Sequence, residues 1–234
     1  MASIKLEQVL RELADPDIAE HSQRFFKTAK GEYGEGDLFL GVRVPVIRRQ
    51  VKKYKDVPLQ QVKALLKSAY HEERLFALLL LVDKYSRGST EQKQIIYELY
   101  LANTRYINNW DLVDSSAHKI VGKYLLDRDR KVLYTLSHSD NLWERRIAVI
   151  ATMQFVANNQ FEDTMKISEC LLDDKEDLIH KAVGWLLREI GKRDASVEKA
   201  FLKKHYMKMP RTMLRYAIEK FPEIERRAYL DGRI

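Results

Sequence analysis

Apolar residues recur along nearly the whole chain at the spacing of three or four positions that is typical of amphipathic helices. No segment shows the sustained two-residue alternation of a half-buried strand. Only 9 glycines and 5 prolines interrupt the 234 residues, and the joints they mark separate predicted helices of about 10 to 18 residues. None of the joints resembles a flexible linker, so we predict an all-α fold and a single domain over residues 1–234.

A weak internal repeat indicates that these helices stack. Ala77, Ala117, Ala148 and Val183 occupy comparable places on apolar helices, at spacings of about 31 to 40 residues. Helix-pair solenoids show spacings of this size, and an irregular helical bundle is the alternative. In a solenoid, equivalent helices would place one set of residues along a continuous surface: Trp110, Asp114, Arg146, Lys181 and Trp185.

Local features of the pattern add four predictions. The apolar run from Leu75 to Val82 is too short to span a bilayer and predicts buried helix turns. The segment 139–141 is expected to cap the helix that starts at Leu142, and the segment 173–174 to cap the helix that carries Trp185. The acidic, glycine-rich segment 31–37 predicts a structural turn, because its carboxylates would repel a phosphate.

Composition narrows the class of protein. Hydrophobic residues make up 45% and charged residues 32% of the chain, which is typical of a soluble globular protein. The formal net charge of +7 is a modest argument for nucleic acid or another polyanion as a partner. The acidic N-terminal region does not resemble a signal peptide, so we expect a cytoplasmic protein without a membrane partner.

The sequence contains no motif that is typical of a metal or cofactor site. The single cysteine, Cys170, excludes an internal disulfide, and its apolar-periodic surroundings predict a buried, inert thiol. The six histidines show no metal-ligand spacing, and nucleotide-binding and nucleophile-elbow motifs are lacking. We therefore expect neither a metal nor an organic cofactor.

Trp110 and Asp114 are the first candidates for chemistry, because residues four apart lie on one face of a helix. Asp114 is either a helix acid that pairs with a neighbouring arginine or a carboxylate that faces a developing cation, as in glycosidic cleavage. Asp111 points about 100° away and is interpreted as a cap or surface acid.

Trp185 has Lys181 and Arg188 on its own helix face, as Trp110 has Asp114. Burial of unpaired charges is costly, so both faces are predicted to be partly exposed. An exposed indole can bind a cation through its ring face. Trp143, at a predicted helix start, is expected to serve in packing. Arg145 and Arg146 either contact phosphate or belong to a salt-bridged surface.

Six segments together resemble the DNA alkylation repair family of AlkD-like glycosylases, and they cover almost the whole chain: Trp110 to Asp114, Trp143 to Arg146, Lys181 to Arg188, Gly31 to Gly41, Val44 and Pro45, and Met209 to Tyr216. The resemblance implies a HEAT-like helical-repeat solenoid with a concave, basic groove for DNA. It also implies excision of N3- and N7-alkylated purines from double-stranded DNA without a metal, by a protein that we expect to be monomeric.

In this family, the resemblance implies that Asp114 is the catalytic carboxylate, that Trp110 and Trp185 flank the lesion and its deoxyribose, and that Arg146 holds the DNA backbone. We expect Arg145, Lys181 and Arg188 to add phosphate contacts. Some relatives lack the acid, so the presence of Asp114 favours an enzyme. Two other classes stay open: a non-catalytic binder of damaged or branched DNA, and a helical-repeat scaffold for proteins.

Overall fold

Helices make up nearly all of the regular structure in the computed structural model, which describes residues 6–234. The chain divides into two units, the first ending at Ser116 and the second running from Ala117 to Ile234. Within the described residues, the one extended pairing is an isolated parallel bridge between Leu38 and Tyr70. The prediction of an all-α fold is confirmed, and a single domain over residues 1–234 stays a prediction.

The helices of the first unit are α1 (Leu6–Arg11), α2 (Pro16–Phe25), α3 (Val44–Lys53), α4 (Leu59–Leu65), α5 (His71–Arg87), α6 (Thr90–Leu101) and α7 (Trp110–Ala117), with a 3-10 turn at Thr104–Tyr106. Helices α1, α3, α4 and α6 all pack against α5. Residues Leu75 to Leu81 of α5 are buried, as the apolar run predicted, because this helix is covered on several sides.

The first turn of α5 is also buried, although its residues are polar or charged: His71, Glu72, Glu73 and Arg74. The Glu72 carboxylate accepts hydrogen bonds from the backbone amides of Leu40, Gly41 and Val42, at 2.9, 2.8 and 3.3 Å. This carboxylate therefore fixes the loop that follows residue 37, since buried charge is tolerated only where it is paired or hydrogen-bonded.

The other charges of this turn reach different parts of the same unit. Glu73 pairs with Arg11 of α1 at 2.8 Å, and Arg74 pairs with Asp37 at 2.7 Å. Arg74 also donates to the carbonyl oxygen of Ser68 at 3.0 Å. One helix end thus joins α1, the turn before α5 and the loop before α3.

The second unit is built around a long amphipathic helix. Its helices are α8 (Lys123–Leu125), α9 (Lys131–Ser137), α10 (Leu142–Ala151), α11 (Met153–Ala157), α12 (Glu162–Cys170), α13 (Asp177–Gly191), α14 (Ala195–His205), α15 (Arg211–Ala217) and α16 (Glu223–Leu230), with a π-helical turn at His118–Gly122 and a 3-10 turn at Ile218–Lys220. Helix α13 packs against α10, α12, α14 and α15. At Gly184, a Cβ would lie 2.4 Å from the Met213 carbonyl oxygen, so glycine permits the close approach of α15.

The structure corrects some local predictions. Several helices are shorter than the predicted range, such as α4 and α9 with seven residues each. Asn141 caps α10 as expected, by accepting from the Trp143 amide at 2.9 Å. Asp174 does not cap α13, which begins after Glu176; its carboxylate instead pairs with Arg145 at 2.7 Å. Cys170 is exposed rather than buried, because it ends α12 on the solvent side.

The buried Glu72 carboxylate provides the first prediction. Glu72→Gln should lower the free energy of unfolding by about 3–5 kcal/mol, because the amide offers one acceptor oxygen and directs an NH2 group at backbone donors. Urea unfolding followed by circular dichroism measures the change. The exposed Glu98→Gln is the matched control and should shift stability by less than about 0.5 kcal/mol. Equal effects of the two substitutions would contradict the role given to Glu72.

Candidate functional site

Helix α7 carries the first pair of candidate residues. It begins at Trp110, whose amide donates to the Asn109 side-chain oxygen at 2.8 Å. Trp110 and Asp114 are partly exposed, whereas Leu112 and Val113 between them are fully buried. The apolar side of α7 therefore faces the core and leaves the indole and the carboxylate at the surface of the first unit. The predicted partial exposure of this face is confirmed.

Two phenylalanines support the Trp110 ring. The Phe26 ring is stacked on it, with centroids 5.5 Å apart and planes inclined by 22°. The Phe25 ring contacts it edge to face, at 6.1 Å. Phe25 is 58% exposed, so an aromatic surface extends beyond the indole. Both phenylalanines come from the end of α2, and sequence spacing did not point to either of them.

A buried histidine fixes the first turn of α7. His71 Nε2 lies 2.9 Å from an Asp111 oxygen, and His71 Nδ1 lies 3.3 Å from Asp37. The imidazole also stacks on Phe39 at 4.7 Å and contacts Phe26 at 4.8 Å. The interpretation of Asp111 as a cap or surface acid is wrong, because its carboxylate is an ion-pair partner of a buried ring. Trp110 is thus held through its neighbour Asp111 and through Phe26.

The charges around His71 set its protonation. Burial alone lowers the pKa of His71, but the carboxylates of Asp111 and Asp37 outweigh burial and raise this pKa to about 9. Burial acts in the opposite direction on the pKa of Asp37, and the hydrogen bond from His71 and the charge of Arg74 lower it overall. At neutral pH the network therefore contains an imidazolium between two carboxylates.

Asp114 faces a different neighbourhood. Its charge acts on Tyr100 of α6, whose pKa is raised chiefly by burial and further by the Asp114 carboxylate. The Tyr100 hydroxyl lies 3.0 Å from the Ser116 hydroxyl. Asp114 thus lies one turn beyond Trp110, close to a neutral phenol.

A cavity of about 590 Å³ opens beside this network within the first unit. Its apolar lining includes Ile18, Phe26, Phe39, Ile47 and Leu75, and its polar lining includes Asp17, His21, Arg43, His71 and Asp111. Helix α2, which forms one wall, has no fully buried residue. Since Phe26 lines the cavity and also supports Trp110, packing around the cavity bears on the position of the indole.

The second unit holds the other two tryptophans. Trp185 of α13 is partly exposed, and its indole N–H donates to Glu189 at 3.2 Å. Trp143, at the start of α10, is buried with 7% exposure, so its predicted packing role is confirmed. The predicted continuous surface that joins these residues with Trp110 and Asp114 stays a prediction.

The four predicted phosphate contacts all have partners within the second unit. Arg145 pairs with Asp174 and donates to the Ser139 carbonyl oxygen at 2.9 Å. Arg146 is 5% exposed and donates to the Leu178 carbonyl oxygen. Lys181 pairs with Asp177 at 2.6 Å, and Arg188 pairs with Glu219. Of the four, Lys181 is the most accessible, with 39% of its side chain exposed.

The part of the chain from residue 6 to 234 contains no cluster of three or more histidine, cysteine, aspartate or glutamate residues that could hold a metal ion. Over the same residues, no helix combines the length and the apolar character that crossing a membrane requires. The cytoplasmic location and the monomeric state stay predictions.

Comparisons with known proteins place the chain in a family. A family model described as "DNA alkylation repair enzyme" matches residues 6–221. A predicted DNA alkylation repair enzyme from Enterococcus faecalis has a similar fold, with a TM-score of 0.70, 18% identity, and coverage of 90% of this chain and 97% of the other. AlkD2 from Streptococcus mutans is similar with a TM-score of 0.57, 17% identity, and coverage of 93% and 99%. A comparison with curated proteins found no match.

The two solved structures share a fold with this chain at low identity, and the helical-repeat class predicted from the sequence is confirmed.

The raised pKa of His71 predicts how stability depends on pH. This pKa is about 9 in the folded protein and ordinarily 6.5. The stabilisation that the charged imidazole gives the folded protein is therefore complete below pH 6.5 and is lost as the pH rises through 9. The shift corresponds to about 3 kcal/mol. Urea unfolding at pH values of about 6 and about 10 should show this loss in the wild type.

In His71→Gln, the part of the pH dependence that comes from residue 71 should disappear, whatever the absolute stability of the variant. His138→Gln is the matched control, since His138 is exposed, and it should keep the wild-type dependence. An unchanged pH dependence in His71→Gln would show that the imidazole is not charged in the folded protein.

Proposed function

Because the chain belongs to the DNA alkylation repair enzyme family, we propose that it is a DNA glycosylase that hydrolyses the N-glycosidic bond of cationic N3- or N7-alkylated purines, such as 3-methyladenine and 7-methylguanine, in duplex DNA. Membership of the family implies a repair enzyme with a DNA substrate. The glycosylase activity and the lesion class are the parts that we add.

The observation that carries the proposal is the position of Asp114. Its carboxylate is partly exposed one helical turn after a partly exposed indole, on a helix whose first turn is fixed by His71 and Asp111. A carboxylate that only pairs with an arginine for stability needs no indole on the same face. A carboxylate that stabilises a sugar cation gains from a rigid aromatic neighbour.

The proposed reaction needs no strong general acid. Alkylation at N3 or N7 gives the base a positive charge, so the bond from C1′ breaks with its electron pair going to a neutral leaving base. The deoxyribose then carries oxocarbenium character, which a nearby carboxylate stabilises. Water adds to C1′ and releases a proton, leaving an abasic site. Asp114 supplies the negative charge in this scheme.

Trp110 supplies a polarisable surface for the same charge. The stack on Phe26 fixes the plane of the indole, and an indole face attracts a cation with about 0.5–2 kcal/mol, depending on desolvation. Trp185 remains in the proposal as a second aromatic contact to DNA. Lys181, Arg188, Arg145 and Arg146 remain as phosphate contacts, with Lys181 as the most accessible of them.

Asp114→Asn tests the proposal directly. Release of 7-methylguanine and 3-methyladenine from methylated duplex DNA, measured in single turnover at saturating protein, should fall about 100- to 1,000-fold, because the variant loses the charge that stabilises the sugar cation. DNA affinity should stay near that of the wild type. Asp127→Asn, an exposed acid of the second unit, is the control and should release both bases at the wild-type rate.

The wild-type measurement also separates the alternatives. A folded wild-type protein that binds methylated DNA and releases neither base would overturn the glycosylase proposal in favour of a non-catalytic binder. Binding at the background level at low salt would favour a protein scaffold, because phosphate contacts are strongest under that condition.

Trp110→Ala should lower the single-turnover rate of base release about 10-fold, which corresponds to about 1.4 kcal/mol of lost transition-state stabilisation. The measurement is the same base-release assay, accompanied by a thermal unfolding curve. Trp143→Phe is the control, because Trp143 is buried in packing; it should affect stability rather than the rate of the folded protein. A rate for Trp110→Ala equal to that of the wild type would remove the indole from the mechanism.

A further inference from the structure

The exposed face of α3 carries positive charge that nothing in the described chain neutralises. Between residues 43 and 53 there are five cations and no acid: Arg43, Arg48, Arg49, Lys52 and Lys53. All five are exposed. Within residues 6–234, none of these cations lies in an ion pair; Lys53 contacts the ring of Tyr54, at 5.1 Å from its centroid.

Several other helices of this chain pair a surface cation with an acid of the same helix. Five pairs show the pattern, each with residues four apart: Glu20 with Arg24, Asp83 with Arg87, Glu162 with Lys166, Asp177 with Lys181, and Glu223 with Arg227. In α3, Arg48 and Lys52 are four residues apart, and so are Arg49 and Lys53, so like charges repel where other helices have attraction. The basic face therefore costs stability that the folded chain does not recover.

The arrangement on α3 turns these charges fully outward. Ile47 is completely buried and faces α5, against which α3 packs. Arg48, Arg49 and Lys52 lie on the opposite side of the helix, within about 100° of arc. A rigid scaffold thus presents several cations at helical spacing, which suits a regular row of anions.

The cations of α3 contrast with those that the sequence singled out. Arg145 and Arg188 are engaged with Asp174 and Glu219, so a phosphate would have to displace a carboxylate to reach them. A phosphate that approaches Arg48 or Lys52 displaces only water and counterions, and release of counterions is the main source of salt-dependent affinity for DNA.

We propose that the exposed face of α3, formed by Arg48, Arg49 and Lys52, binds the phosphodiester backbone of duplex DNA. This contact rests on the DNA substrate of the proposed function and is separate from Asp114 and Trp110. It supplies affinity without reading sequence or lesion, because phosphates are the same at every position. Arg43, the residue before α3, lines the same cavity as Asp111.

The experiment compares Arg48→Gln/Lys52→Gln with the wild type. Binding to an undamaged, fluorescently labelled duplex is measured by anisotropy over a series of NaCl concentrations. The slope of log Kd against log salt should decrease in magnitude by about 1.8, since each phosphate contact contributes about 0.9. Affinity at low salt should fall at least about 10-fold.

The matched control is Lys63→Gln/Lys67→Gln. It removes the same net charge at the same spacing from exposed residues of α4 and the turn that follows it, and it should keep the wild-type slope. Base release at saturating protein should also be unchanged in this control variant, because Lys63 and Lys67 have no part in the proposed site.

The outcomes separate this inference from the proposed function. If Arg48→Gln/Lys52→Gln keeps the wild-type salt slope, or if the control variant loses as much slope, the α3 contact is overturned and the glycosylase proposal stands. If the double variant has a reduced slope and the wild type releases no base, the α3 contact is supported and the glycosylase proposal is overturned. Absence of DNA binding by the wild type at low salt overturns both.

Discussion

The buried charges at the start of α5 are the constraint on which the rest of the first unit depends. His71, Glu72, Glu73 and Arg74 leave water together, and each must find a partner elsewhere in the fold. Those partners lie in α1, in the loop before α3 and in α7. Correct pairing therefore specifies where three separate segments lie, and a misplaced segment would leave an unpaired charge in the core.

The proposed reaction depends on this constraint. A carboxylate can stabilise a sugar cation only if its distance to the reacting carbon is held, and the first turn of α7 is held by the pair of His71 and Asp111. The indole of Trp110 is supported from the other direction, by Phe26. Electrostatic and aromatic contacts converge on one turn of helix, so the position of Asp114 follows from structure that lies outside the reacting groups.

Periodicity was sufficient for the fold class, because amphipathic helices leave a direct trace in the order of apolar residues. It also identified the partly exposed face of Trp110 and Asp114 and the buried part of α5. The network around His71 could not be found that way, since residues 37, 71 and 111 meet through loops whose geometry has no spacing rule. Asp111 was misread for the same reason: a helical wheel gives the direction of a side chain but not what lies there. Asp174 is not the N-cap of α13 because the helix begins only after Glu176; its carboxylate accepts from the Glu176 amide and pairs with Arg145.

The absence of any fully buried residue in α2 has a consequence for the lifetime of the site. A helix with so little packing opens at a lower free energy than the core around it, on its own and without global unfolding. Phe25 and Phe26 end this helix and support Trp110, so each local opening removes the support of the indole. The durability of the aromatic surface is then set by its most loosely packed neighbour, and amide hydrogen exchange in α2 reports the fraction of time for which that surface is intact.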